Sequence, residues 1–209
     1  MTEELLQRSP EWRQSRAGHV TASKVGDLLK TNRNGAYSAK RANYFDLIVA
    51  ERVTGKPQDW KEIRSLEERA KLEPAARAWY TLMTGNDVEE VGFIKHPTIE
   101  FSGASPDGLL KKSGGLEIKC LDAGNHLKLF SEDTRIAVLT EYLPQVHFGM
   151  ACTGRKWWDL IAFNPTMPES MRMFRQTIKR DEKIIAAIEL AVREFLAEVD
   201  AKVRRILTK

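Results

Sequence analysis

Between residues 101 and 122 the chain reads FSGASPDGLLKKSGGLEIKCLD, and from Leu116 to Cys120 apolar and charged residues alternate strictly. A period of two describes a strand with one buried face, because a helix would scatter the same residues around its axis. On that strand Glu117 and Lys119 point one way, while Leu116, Ile118 and Cys120 point the other. Turn-forming residues precede it, so the strand pairs with an antiparallel partner through a hairpin turning at Lys111 to Gly115. The hairpin returns Asp107 to the neighbourhood of Glu117. Two carboxylates and an amine thus converge on one site.

Oxygen-only ligands of this kind suit Mg²⁺ or Mn²⁺, whose octahedral shells are completed by water and substrate phosphate. An adjacent ammonium group can orient an attacking water or stabilise charge gathering on phosphorus. The spacing alone is equally that of a solvated hairpin. The apolar neighbours of Glu117 favour a strand with a buried face, and SPDG can present Ser105 and Asp107 together on the preceding turn.

Periodicity elsewhere describes helices around this hairpin. Ser9 caps a short helix with Pro10 at its first position and Gly18 at its end, and Thr21 caps another running to Leu29. Residues 38 to 54 place Ala42, Phe45, Ile48, Val49 and Val53 on one face, ahead of Gly55 and Pro57. A helical stretch over about 62 to 84 contains Pro74, which kinks it or begins a new helix. The runs DVEEVGFIK, TIEFSGA, DGLLKK and GLEIKC read as short antiparallel strands. TEYLPQVHFGMACTG reads as a helix with Pro144 in its early turns, RKWWDLIAFN and MRMFRQTIKR as strands, and 181 to 207 as a last helix. The fold class is α/β (α+β), a mixed central sheet flanked by helices.

Composition narrows the function. The chain has 209 residues, long enough for one domain with its own core. Its 33 basic and 29 acidic residues give a net charge of +4, which permits a polyanionic partner without requiring one. Only two cysteines occur, Cys120 and Cys152, which rules out a disulfide scaffold or a cysteine-rich metal site and fits a reducing interior. No signal peptide or membrane-length apolar run is evident, so a cytosolic protein without a membrane partner is expected. His19, His96, His126 and His147 lack i, i+4 spacing and read as turn or packing residues rather than zinc ligands. Most of the five tryptophans read as core. The terminal AKVRRILTK suits the helix dipole, with phosphate tracking as the alternative.

SPDGLL, then GGLEIKC, preceded by WRQSRAGHVTASKVGDLL and followed by YLPQVHFGMACTGRKWWDLIAFNP, resembles the lambda exonuclease family, the viral recombinases of the YqaJ type. The likeness runs through most of the chain. It implies a restriction-endonuclease-like core and one nuclease domain over 1–209: a helical part over 1–85, a sheet-centred catalytic core over 86–180 and a C-terminal helix over 181–209. It further implies a Mg²⁺-dependent exonuclease, with Mn²⁺ as substitute, that digests one strand of linear duplex DNA from the 5′ end. The resulting 3′ overhangs would serve phage recombination by annealing. Family members work as ring-shaped homotrimers with a single-strand annealing protein, which here would be in the host cytoplasm.

Carried onto this chain, the resemblance makes Asp107 and Glu117 metal-binding acids, Lys119 the catalytic lysine and the Ile118 carbonyl a further ligand. Glu73 matches an acid supplied by a helix, and Gln145 a glutamine that holds the nucleophilic water. Arg16, Ser23 and Ser105 match residues that hold a DNA 5′ phosphate, for which a guanidinium fork and hydroxyls are suited. Alone, Glu73 reads as a surface helix charge, Gln145 as a solvent-facing polar residue and Arg16 as a solvated cation. Two other functions stay open: a structure- or site-selective endonuclease of the same superfamily, and a non-catalytic DNA-end-binding module.

Overall fold

The computed structural model describes residues 7–31, 37–58, 71–111 and 113–208. Its centre is a five-stranded sheet in the order β2 (Val88–Glu89), β5 (Gly108–Leu110), β6 (Gly114–Cys120), β7 (Trp157–Phe163), β8 (Met173–Lys179). β6 and β7 run parallel, and the other pairs are antiparallel. A second sheet places β4 (Ser102–Ala104) between β1 (Val20–Thr21), to which it is parallel, and β3 (Ile94–Lys95). This is the mixed α/β architecture that the sequence predicts.

Helices cover the large sheet on both faces, and the alternation along β6 and β7 assigns a core to each. One core collects Leu116, Ile118, Cys120, Ile161 and Phe163 with Ala76 and Tyr80 of α4 (Glu73–Thr84). The other takes Trp158 with Phe148 and Met150 of α6 (Glu132–Thr153), and extends through α2 (Ala22–Leu29), α3 (Ala39–Thr54) and α7 (Glu182–Leu207). Two shorter helices, α1 (Pro10–Arg16) and α5 (Ala123–Leu127), complete the order. Ser9 caps α1 by accepting from the Trp12 N–H, and Asp181 caps α7 by accepting from Lys183 and Ile184.

Two expectations are revised, and the alternative left open at Pro74 is decided. Pro144 was expected in the early turns of its helix, but α6 begins twelve residues earlier, at Glu132 behind Ser131, with Glu132 and Asp133 complementing the dipole of its first turn. Pro144 falls where α6 passes from an exposed half to a half that is buried from Val146 onward. DVEEVGFIK, expected as one strand, splits into β2 and β3, which join different sheets. Around Pro74, α4 starts at Glu73 with the proline in its first turn, so Pro74 begins a helix rather than bending one. The helical reading of 62–70 lies outside the described residues.

Of the tryptophan pair, Trp158 is 1 % exposed, and Trp157 is half-buried across Gly114. Gly115 lies directly under the Trp158 ring, where an added Cβ would stand 2.3 Å from a ring carbon. His126 and His147 are core residues. His96 is buried too, with its Nδ1 accepting the Thr98 and Ile99 N–H groups at 3.2 and 3.1 Å, which leaves Nε2 as donor to Glu189 at 3.2 Å.

Two stability tests follow. Gly115→Ala should cost about 1–3 kcal/mol in denaturant unfolding, because the enclosed indole has nowhere to retreat. Burial chiefly lowers the pKa values of His19, His96 and His147, so on acidification the unfolded chain takes up protons first. The histidines' contribution to thermal stability should therefore be full above about pH 6.5 and decline as pH falls through that value toward the folded-state values, against the opposite trend of the raised carboxyls at Asp107 and Glu73. His96→Gln should make this decline shallower.

Candidate active site

β5 begins at Gly108, whose pairing with Leu116 is the last rung of the ladder, so Asp107 falls opposite Glu117 just past its end. There Asp107 Oδ2 accepts the Ile118 N–H at 2.7 Å, and a side chain takes the place of the missing strand residue. In an extended strand a residue's N–H and C=O face the same neighbour, so the Ile118 carbonyl faces this edge as well. Glu117 and Lys119 lie on the face toward α6. Lys119 Nζ donates to Glu117 Oε1 at 2.8 Å and to Gln145 Oε1 at 3.0 Å, and Gln145 Nε2 closes the triangle by donating to Glu117 Oε1 at 2.5 Å. Tyr142, one turn before Gln145, places its ring centroid 4.9 Å from the Lys119 ammonium.

Glu73 arrives from the opposite layer. It opens α4, and its Oε1 lies 2.7 Å from Arg8 Nη2. Burial pushes the Asp107 carboxyl well above the usual carboxylate range, and the charges of Glu117 and Glu73 push it further. Burial likewise raises Glu73. For Lys119, burial works downward but is outweighed by Glu117, their hydrogen bond and Asp107, so its pKa rises and the amine stays charged.

Among the described residues, no three acidic, histidine or cysteine side chains stand close enough to enclose a cation by themselves. The set that fits a hard divalent cation is Asp107, Glu117 and the Ile118 carbonyl, all oxygen donors at one sheet edge. Ionisation of Asp107 is opposed by its acidic neighbours, a penalty that such a cation relieves. Glu73 is a further acid whose charge reaches Asp107, with one of its oxygens held by Arg8.

A second cluster lies beside the first. β1 and β4 run parallel with Val20 opposite Ser102 and Thr21 opposite Gly103, so Ser23 and Ser105, each two residues past Thr21 and Gly103, emerge at the same end. Ser23 is exposed in the first turn of α2, with its hydroxyl 3.4 Å from that of Thr21. Trp12 Nε1 donates to Ser105 Oγ at 3.0 Å, and the Arg16 guanidinium lies 4.0 Å from the Trp12 ring centroid. Burial lowers the pKa of Arg16, an effect opposed by nearby Tyr44 and by the charge of Glu51. Since Ser105 and Asp107 are separated by Pro106 alone, the two clusters are contiguous.

Residue-by-residue reading missed several contributors: Trp12, grouped with core tryptophans but serving as the platform between Arg16 and Ser105; Tyr142; Arg8; and the buried Glu51, which accepts the Gly18 N–H at 2.7 Å. Trp12 was findable from its i, i+4 spacing to Arg16 on one helix. Nothing local marks the other three.

Comparison with known proteins follows the same lines. Residues 11–156 match the YqaJ-like viral recombinase domain. Crystal structures of LHK-Exo, an alkaline exonuclease from Laribacter hongkongensis, superpose closely: the complex with dAMP has a TM-score of 0.86 at 38% identity, covering 95% of this chain and 96% of that one. A second LHK-Exo structure has a TM-score of 0.85 at 38% identity, covering 96% and 97%. A phage-related exonuclease from Haemophilus somnus 129PT shares the fold at TM-score 0.73 and 14% identity, covering 90% and 96%. No curated protein sequence matches significantly.

Replacing Lys119 tests the triangle. Lys119→Ala should still bind duplex DNA and divalent cation but cleave about 10²–10³-fold more slowly, the usual loss of one charge positioned on a transition state. Calorimetry showing collapsed cation affinity, with cleavage restored at high Mg²⁺, would make Lys119 structural instead.

Proposed function

Since the chain belongs to the YqaJ-like viral recombinase family, a family of nucleases acting in recombination, we propose that it is a Mg²⁺-dependent exonuclease digesting the 5′-ended strand of linear duplex DNA. The product is a 3′ single-stranded overhang for annealing. The observation that carries this reading is the contiguity of two clusters, the Asp107–Glu117–Lys119–Gln145 site and the Arg16–Trp12–Ser105 group one residue away along the turn.

In this reading Asp107, Glu117 and the Ile118 carbonyl hold the divalent ion, with Mn²⁺ able to substitute and Glu73 as an additional ligand. When bound, that ion supplies a Lewis acid to the scissile phosphate and a more acidic water. Gln145 and Lys119 flank the position of the attacking water; the amide fixes its orientation, and the ammonium stabilises the negative charge that builds as the phosphodiester opens. Arg16, Ser23 and Ser105 receive the terminal 5′ phosphate and so set the next diester over the acids. The working form in this reading is a homotrimer beside a phage single-strand annealing protein in the host cytoplasm. Among the described residues no helix is long and apolar enough to cross a membrane.

A terminal phosphate carries more charge than an internal diester, so this pocket should tell the two apart. Initial rates at fixed salt should be much faster on 5′-phosphorylated than on 5′-hydroxyl duplex, and covalently closed circles should survive. Arg16→Ala should bring the ratio toward one by slowing the phosphorylated substrate. Cleavage of closed circles, or indifference to the end group, would instead favour an endonuclease.

A further inference from the structure

Arg8 stands between the two clusters and belongs to neither. Its φ is +75°, a left-handed conformation that a residue with a Cβ adopts at a cost. The neighbours on either side are both held by hydrogen bonds. Gln7 Nε2 donates to the carbonyls of Val91 at 2.9 Å and Pro106 at 2.6 Å, the second adjoining Asp107. Ser9 is fixed as the cap of α1. The Arg8 guanidinium meets Glu73 at 2.7 Å with the two side chains 45% and 23% exposed.

An ion pair this open is weak and exchangeable. Its acid is the helix-borne carboxylate whose charge reaches Asp107, and its cation also lies within electrostatic reach of Arg16, each guanidinium disfavouring the other. A divalent cation can compete for Glu73, while a phosphate chain can compete for Arg8 and relieve its repulsion with Arg16. Both exchanges run in the same direction.

We propose that Arg8 is a built-in counter-ion of the active site, neutralising Glu73 while no DNA is bound and passing to a backbone phosphate when a duplex end arrives. Cation uptake is thereby coupled to substrate. This rests on the metal-dependent nuclease reading above. Arg8 is a positioning residue, acting through Glu73.

The test uses the whole protein and two readouts that need no cleavage: Mn²⁺ titration by calorimetry without DNA, and anisotropy of a 5′-phosphorylated duplex end in EDTA. Arg8→Gly suits the left-handed backbone, so it should fold at least as stably as wild type. It should bind Mn²⁺ about two- to fivefold more tightly and the duplex end correspondingly more weakly, the range expected for an exposed ion pair. Arg8→Lys should restore most of both effects, and Arg13→Gln, which removes a charge from α1, should leave Mn²⁺ affinity at the wild-type value. Wild-type Mn²⁺ affinity in Arg8→Gly, or tighter Mn²⁺ binding without weaker end binding, overturns the proposal. If wild type itself takes up no Mn²⁺, the metal reading fails and this inference falls with it.

Discussion

A single hydrogen bond, from the Ile118 N–H to Asp107, decides where strand pairing ends and chemistry begins. β5 is only three residues long, so the edge of β6 past Leu116 has no strand partner on that side. The carboxylate fills the first vacant rung. It satisfies a donor that would otherwise be buried without an acceptor, and the same act turns its second oxygen and the Ile118 carbonyl toward the site. The cost is a carboxylate crowded by two others, raised in pKa by burial and by their charge. Lys119 offsets part of that cost, and Gln145 locks Lys119 to Glu117 from the facing helix.

The site is also a meeting of layers. Glu73 is delivered by α4 on one face of the sheet and Gln145 by α6 on the other, each helix anchored in a different hydrophobic core. Tyr80 and Ala76 hold α4 against Leu116 and Ile118, while Phe148 and Met150 hold α6 near Trp158. Because cores pack densely and resist compression, the distance between the two polar arms is a property of the whole sandwich. The flexible side chains inherit precision from rigid apolar neighbours.

What was legible in the sequence follows from the range of the interaction concerned. The hairpin and the shared face of Glu117 and Lys119 were readable because a period of two is local, and the cap at Ser9 because capping spans three residues; Thr21, read the same way, stands at the start of α2 without a side-chain capping bond. The split of 88–95 between two sheets was not, since each half is chosen by a distant partner, Leu110 for one and Ala104 for the other. Pro144 misled because a proline usually marks a helix start, yet here the helix had already formed ahead of it. Arg8 escaped for the opposite reason: its left-handed backbone is normally announced by glycine, and no glycine is there.

The two parallel pairings described above, β1 with β4 and β6 with β7, carry a kinetic meaning. Parallel neighbours cannot meet through a tight turn, and these pairs close loops of about eighty and forty residues, among the slowest contacts for a chain to find. Ser23 comes to the same end as Ser105 only when the first loop closes, and Gln145 reaches Lys119 only when the chain between β6 and β7 has returned to the sheet. On contact order alone, the site is expected to be completed late in folding. A chain made only as far as β6 carries all the acids of the site and none of its aim.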